Sequence, residues 1–540
     1  MKFVSSFHGT RASLLFLIAL TAAAPLRAGA VDPARVHFHI DLEKNVQPIS
    51  PFIYGVNQKL EGALSHATLR RVGGNRYSAF NWVNNASNAG SDFHYQNDGF
   101  LGGGDEPGGA LLEAMQNTAA ANAALLLQIP MTGYVAADKN GAGDVRKSGA
   151  RYLHKRFRVE MPVKDKPFDL RPDPDSPIVY EDEFVNWVKS RCPWALTDPR
   201  RPVFFSLDNE PDLWQTTHAE VHWAHVTYAE VVAKGIEYSA AIKRVMPTAK
   251  IFGPVNYGWN GFETLEGAPD ANGRDFQEFY LDQMAAAETK SGRRLLDVMD
   301  VHWYPEATGD NGMRITLPDS SAQTVEARVQ TPRSLWDPTY TEKSWITQSG
   351  TKGPIALLPR LSSKISHHYP GTALGISEYN FGGGQDISGG IAEADVLGIF
   401  GKFGLFAACE WPLQADEPFI DAAFEMYRDF DGQDGAFGDI SVAATSDNAA
   451  AGSIYASLHH DHAGWITLVA INKTDRDLPA DFTIEPGRSL TEAAIYQLTA
   501  ARPAPIPSGV IKMNVPGQFS YTMPPMSVTT LRLRSAAKEP

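Results

Sequence analysis

The chain has 540 residues, two cysteines and a formal net charge of −14, with 43% hydrophobic and 20% charged residues. That length suits a large barrel with a companion domain, and the composition is that of a globular protein, not a disordered or fibrous one. An acidic balance argues against nucleic-acid binding, which needs clustered Lys and Arg, and two cysteines are too few for a disulfide scaffold. A neutral polymer such as a polysaccharide is the better-matched partner.

In chain order, residues 1–30 read as a secretory signal peptide. Lys2 and Arg11 make a basic start, 14–24 is apolar, and Ala28-Gly29-Ala30 offers a small-residue cleavage site. The segment is too short to span a bilayer usefully, and no later stretch reads as a transmembrane helix. Export to the extracellular space or periplasm is expected, with the mature chain starting near Val31. Losing Lys2, Arg11 and Arg27, with no acid among the thirty residues, takes the net charge from −14 to −17.

The segment 36–42 alternates apolar and polar residues, as a strand of a β-sandwich does. Eight short apolar runs follow, at 52–57, 69–73, 124–130, 203–207, 250–255, 298–302, 372–377 and 404–409. Each is bounded by Gly, Pro or Asn, and helical or loop segments separate them, the pattern of buried parallel strands. Helical spacing is clear over 223–245, stopped by Pro247, and another helix begins at Glu181. Eight strands alternating with helices predict a TIM-like (β/α)8 barrel of the α/β class. The polar stretch 146–180 reads as an insertion on a barrel loop. After the Asp- and Gly-rich stretch 429–439, short strand candidates appear at 454–458, 465–472, 480–484, 493–498, 512–515 and 527–534. They predict a C-terminal β-sandwich of about 100 residues. The expected boundaries are 1–30 for the signal peptide, 31–45 for an N-terminal strand joining the sandwich, 46–430 for the catalytic barrel and 431–540 for the sandwich. Cys192 and Cys409 fall far apart on such a barrel, so a bridge, which needs a short reach, is the less favoured reading.

Two segments carry the chemistry. Ser206-Leu207-Asp208-Asn209-Glu210-Pro211 places a carboxylate just past the fourth strand, and Ile376-Ser377-Glu378-Tyr379-Asn380 places another at the end of the seventh. Either Glu alone could be structural, capping a turn or pairing with a lysine. Two at equivalent strand tips of one barrel suggest a two-carboxylate hydrolase. Asp208 brings negative charge that would raise a neighbouring carboxyl's pKa, a setting suited to a general acid. Asn209 offers an amide to a sugar hydroxyl, and Tyr379 a hydrogen bond that would keep Glu378 charged. The segment after the second strand is crowded with amides. From it Asn75, Arg76 and Trp82 are expected to bind substrate, Arg76 with a bidentate reach for a carboxylate. His302 and Tyr304 end the sixth strand and Trp411 the eighth, where they would form a sugar-binding floor. Trp259, Trp336 and Trp345 lie on candidate loops. A zinc reading of His218, His222 and His225, spaced as on one helix face, lacks the His-Glu-x-x-His pattern. The acids of 429–439 suggest a structural calcium but lack the full loop spacing. No cofactor is required.

Four segments together are similar to glycoside hydrolase family 44, whose members are endo-acting β-1,4-glucanases, many active on xyloglucan. They are Arg71-Val72-Gly73-Gly74-Asn75-Arg76 running on to Asn81-Trp82 and Asn84-Asn85-Ala86-Ser87-Asn88-Ala89-Gly90-Ser91-Asp92; Leu207 through Pro211 with Leu213-Trp214 and Thr217-His218; Ile376 through Asn380; and Met426-Tyr427-Arg428 through Gly438-Asp439. The long Asn-rich run is specific, whereas Asn-Glu-Pro recurs in many barrel glycosidases. The resemblance implies a TIM-like barrel with a sandwich, a retaining mechanism, Glu210 as acid/base and Glu378 as nucleophile. Val83 departs from the family pattern, in which an acidic residue follows the tryptophan. The implied substrate is a β-glucan or xyloglucan, acted on by a monomer with no nucleic-acid or membrane partner. The rival readings are another barrel-plus-sandwich glycosidase (a xylanase or arabinofuranosidase type), a catalytically silent polysaccharide-binding protein, and a zinc hydrolase.

Overall fold

The computed structural model describes residues 35–462, 464–486 and 490–535; the expected signal segment, 1–30, lies outside the described residues. Eight parallel strands close into a barrel: Gly55–Val56, Leu69–Val72, Ala124–Ile129, Val203–Leu207, Ile251–Asn256, Val298–Trp303, Ala373–Tyr379 and Ala407–Glu410. Every one falls on an apolar run of the sequence. The first is the shortest, because Pro51 opens a helical turn, Pro51–Ile53, capped by the Ser50 hydroxyl, and the strand begins only beyond it.

Helices outside and side chains inside bury both faces of these strands. Ala124–Ile129 and Val203–Leu207 are buried at every residue, so their sequences run apolar without alternating. Four phenylalanines, Phe52, Phe204, Phe252 and Phe406, meet inside the barrel with ring centroids 5.1–6.1 Å apart. Leu69, Leu126, Val298 and Cys409 complete this plug. Two residues further along the same strands stand Arg71, Gln128, Ser206 and Asp300, all buried. The two-residue strand repeat puts them on the same interior side, one layer higher. The barrel core therefore changes from apolar to polar toward the C-terminal ends of the strands, which sets up the site.

The helix expected from 223 begins at Tyr228 and runs Tyr228–Val245. Thr227 stops it from starting earlier: its hydroxyl accepts from the Glu230 backbone N–H at 3.1 Å, and Trp223 stands exposed in the loop before it. The stretch 146–180 is more ordered than its polarity implied. It supplies two strands of a three-stranded sheet, Tyr134–Ala136, Phe157–Met161 and Ile178–Tyr180, beside the third barrel loop.

Two sheets form the second layer system. One has the order Ala443–Ser446, Val36–Asp41, Leu478–Glu485, Gln518–Met523, so the N-terminal strand sits inside it. The other runs Gln47–Pro48, Ile440–Ser441, Gly452–Leu458, Trp465–Asn472, Ser527–Ser535, Leu490–Thr499, Arg502–Lys512. Phe38, Ile40, Leu468, Phe482 and Leu531 pack between them. The outer face of the seven-stranded sheet packs on the barrel, where Tyr455, Val469, Ile471, Leu498 and Val528 join the barrel's own core. One strand expectation fails: 512–515 is mostly a turn between Arg502–Lys512 and Gln518–Met523. Pro503, Pro505 and Pro507 hid the earlier strand, which lies at the sheet edge, where a missing N–H breaks no ladder. Cys192 and Cys409 are both buried and unbridged. Among the described residues no helix is long and apolar enough to cross a membrane.

Candidate active site

Glu210 owes its position to the turn that leaves the fourth strand. The Asp208 carboxylate is buried and accepts from Ser78 at 2.5 Å, Gln128 at 2.8 Å and the backbone N–H groups of Met131 and Asn209 at 2.7 and 2.8 Å. Burial pushes its pKa up against the hydrogen bonds from Ser78, Met131 and Asn209. Its role is to clamp the turn rather than to offer a free charge to Glu210, as the sequence suggested. Asp208 and Glu210 both adopt positive φ, 64° and 44°, and Val255, whose carbonyl accepts from the Glu210 N–H at 3.0 Å, has φ 63°. Left-handed backbone at three residues with side chains, one of them β-branched, is strain held in place by the surrounding bonds.

Glu378 reaches the interior through an irregularity. Gly375 faces into the barrel, where a Cβ would meet Val298, Phe252 and Asp300. Strict alternation from there would send Tyr379 inward and Glu378 outward. The pairing with the sixth strand slips instead: Val301 faces Ile376, but His302 faces Glu378, leaving Ser377 as the extra residue. The bulge turns Glu378 toward the cavity. Tyr379 goes the other way, buried with its hydroxyl on Glu393 at 2.7 Å and its ring against Phe400. It does not hold Glu378.

Three other groups do. Arg71 donates through Nη1 to Glu378 Oε1 at 2.6 Å and through Nη2 to Asn209 Oδ1 at 2.8 Å, tying the two glutamate-bearing segments together. The Tyr304 hydroxyl donates to Glu378 Oε2 at 2.9 Å. His302 Nδ1 lies 2.9 Å from Glu210 Oε1 and 3.4 Å from Glu378 Oε2. The two carboxylates and the imidazole offer atoms all within 4.8 Å of one another. Burial would raise the Glu378 pKa, but His302, Arg71 and the Tyr304 hydrogen bond overcome it, and the carboxyl is held below its ordinary range. Burial would lower the His302 pKa, but the two glutamates overcome it and raise it.

Beside Glu210 opens a cleft of about 750 Å³, lined also by Tyr257, Trp259, Trp303, Tyr304, Arg314 and Trp345. Trp259 and Trp345 thus reach it, whereas Trp336 packs on Phe403 elsewhere. Asp212 sits buried just behind, accepting from Asn256 and the Tyr257 N–H, with its pKa pushed up to about 7 by burial and by the charge of Glu210. Trp411 lays its ring against Gly74, at the tip of the second strand. Asn75 binds the Ala89 carbonyl through its amide, and its own carbonyl faces His218 at 2.7 Å.

Two expected substrate contacts are placed otherwise. Trp82 is buried between Phe184 and Trp187, at centroid distances of 5.7 and 6.2 Å, so it is core. Arg76 does reach a carboxylate, that of Asp98 at 2.7 Å, and lies over the exposed Phe100 ring, so it anchors its own loop and is not placed to bind substrate. Arg71, Asp212 and Arg314 are not among the site residues expected from the sequence. Arg71 had a signal: it is a charged residue on the inward side of an apolar strand, two positions after Leu69.

The metal readings find no matching donor sets. His218 bonds Glu220 and Asn75, His222 bonds Glu230, and His225 is exposed, so the three imidazoles do not converge. In the 429–439 loop, Asp431 accepts from the Gln433 and Gly435 N–H groups and pairs with Arg532, while Asp429 and Asp434 face His66. Acids already matched to donors and cations do not make a calcium cage. Among the described residues the one gathered set of three is Glu210, His302 and Glu378. With Arg71 beside Glu378, it is suited to sharing protons.

Comparison with known proteins gives this site its context. Residues 86–307 match the model of glycoside hydrolase family 44. Over 98% of its length the chain is 39% identical to an endoglucanase A of Paenibacillus lautus, of which it covers 77%. It is 37% identical to a β-mannanase/endoglucanase A of Caldicellulosiruptor saccharolyticus but spans only 36% of that longer protein. The structure of a Paenibacillus polymyxa family 44 xyloglucanase superposes with a TM-score of 0.88 at 37% identity, covering 93% of this chain and all of the other. A family 44 endoglucanase from Clostridium thermocellum gives the same values. An α-L-arabinofuranosidase from Thermotoga maritima, at 14% identity and a TM-score of 0.55, shares the fold alone. The chain belongs to glycoside hydrolase family 44.

Proposed function

We propose that the chain is a secreted, retaining endo-β-1,4-glucanase that cleaves cellulose-like glucans or xyloglucan. The observation that carries the mechanism is the close approach of Glu210 and Glu378, with oxygens within 4.8 Å. Retaining glycosidases hold their carboxyl groups at roughly 5–5.5 Å, whereas inverting ones keep them about 6.5–9.5 Å apart to admit a water. Glu378, kept anionic by Arg71 and Tyr304, is the nucleophile and attacks the anomeric carbon. Glu210 gives its proton to the departing glycosidic oxygen as the C–O bond breaks. Water then attacks the glycosyl-enzyme, Glu210 takes its proton, and Glu378 is released. His302 spans the two and holds their spacing.

The substrate reading draws on the relatives, which include endoglucanases and xyloglucanases, one of the latter solved with xyloglucan. The tryptophan-lined cleft supports it, since aromatic faces cover sugar C–H surfaces. Secretion draws on residues 1–30, and N-terminal sequencing of protein recovered from the medium should begin near Val31. The test of function is incubation of purified protein with xyloglucan, carboxymethylcellulose and xylan, followed by sizing of products. Internal cleavage of the first two is expected. Release from xylan alone would move the reading to a xylanase, and binding without reducing-end release would make it a silent binding protein. Glu378→Gln should lower kcat by at least ~1,000-fold. Near-normal turnover would remove the nucleophile assignment.

A further inference from the structure

The loop after the sixth strand folds back on its own beginning. Thr308 and Arg314 bridge, Gly309 donates to the Met313 carbonyl, and Ile315 donates to the Ala307 carbonyl at 3.0 Å. The return brings the Arg314 side chain onto the turn that carries Tyr304. Nε donates to the Pro305 carbonyl at 2.8 Å, Nη2 donates to the Tyr304 carbonyl at 2.7 Å, and Nη2 also pairs with Glu306 at 2.9 Å. A rigid planar fork can satisfy two neighbouring carbonyls at once, which a lysine ammonium on a flexible stem matches poorly. The hydroxyl of Tyr304 in turn donates to Glu378 Oε2 at 2.9 Å.

We propose that Arg314 is a positioning residue for the reaction: by clamping the Tyr304 and Pro305 carbonyls it holds the Tyr304 hydroxyl on Glu378. The inference rests on the reading of Glu378 as nucleophile. The groups that meet Glu378 are Arg71 from the second strand and His302 and Tyr304 from the end of the sixth, with Glu210 from the fourth on the same imidazole; Asp300 lies near Arg71, Glu410 near Tyr304, and Cys409 near Asp300, Glu378 and Glu410. Arg314 bonds only the Tyr304 carbonyl among them, so a loosened clamp reaches the carboxylate through Tyr304.

The experiment compares the pH dependence of kcat/KM for wild type, Arg314→Lys, Tyr304→Phe and the double variant, each checked for folding by thermal melt. The acidic limb reports the free enzyme's essential carboxylate. Arg314→Lys keeps the charge and loses the fork. Its acidic limb should move toward neutral by about one pH unit, as loss of a hydrogen bond to a charged group does. Tyr304→Phe should move it the same way, and the double variant no further. Arg314→Gln, which can still donate to one carbonyl, should give a smaller shift of the same sign and serves if the lysine variant does not fold. A folded Arg314 variant with the wild-type limb, a change confined to KM, or shifts that add in the double variant would each overturn the proposal. Failure of the underlying reading looks different: Glu378→Gln would then retain turnover.

Discussion

At the scale of single residues, the roles proposed for the two glutamates place different burdens on them. Glu210→Ala should lose most activity on a glucan, whose departing hydroxyl needs a proton. On an aryl glycoside with an acidic phenol, glycosylation should survive and the covalent intermediate should accumulate as a burst. Azide, which needs no base, should then speed turnover and give a glycosyl azide of retained configuration. Equal losses on both substrates, with no azide effect, would leave Glu210 structural. Glu393 illustrates a cost of burying acids. Burial pushes its pKa up to about 8 despite the hydrogen bond from Tyr379. An unfolded glutamate titrates near ~4.3, so between the two values the folded state holds a proton that the unfolded chain has released. This group's contribution to stability is therefore full below the unfolded pKa and declines as pH rises toward about 8. Glu393→Gln should flatten that decline, and urea melts at pH 5 and pH 8 measure it. A variant as pH-sensitive as wild type would show that Glu393 does not titrate in that range.

At the scale of elements, caps and bulges decide what hydrophobic periodicity leaves open. The run 223–245 is apolar at helical spacing throughout, yet Thr227 starts the helix by satisfying the Glu230 N–H. Glu230 itself turns to His222 and Lys234, so the cap is one-sided. Thr227→Ala should cost about 1 kcal/mol in denaturant unfolding; an unchanged midpoint would mean the cap is dispensable. The slip at Ser377 is the counterpart in the barrel. A one-residue shift reverses every side chain beyond it, so the same slip selects Glu378 for the cavity and Tyr379 for the core.

At the scale of the molecule, barrel and sandwich share a core, and a buried ion pair crosses between them. Lys473 Nζ lies 2.6 Å from Asp395 Oδ2 with both side chains essentially inaccessible, and Tyr455 donates to the other oxygen at 2.6 Å. Asp395 lies on the helix Ile387–Phe403, while Tyr455 lies in the sandwich strand Gly452–Leu458 and Lys473 follows the strand Trp465–Asn472. Lys473→Met leaves an uncompensated charge in the interface and should destabilise by about 3–5 kcal/mol. Unfolding should remain a single calorimetric transition, because the two parts bury one another's apolar faces. Two separated transitions in the wild type would show them to be independent.

The amino-acid sequence by itself determined the eight barrel strands, the strand ends that bear Glu210 and Glu378, and the later change to sandwich grammar. Those features rest on local signals: apolar runs, turn residues, and a carboxylate just beyond each run. Tertiary structure alone decided which neighbouring polar side chains meet the two glutamates. Tyr304 instead of Tyr379 holds Glu378 because a bulge turned one tyrosine away, and Arg71 instead of Arg76 is the anchoring arginine because closure of the barrel brings the second strand's interior face to the seventh strand's tip. Trp82 looked like a sugar platform in sequence and became core once the helix Glu181–Arg191 set Phe184 and Trp187 beside it. Side-chain direction at strand ends depends on register and on packing partners far away in sequence, and no local pattern encodes either.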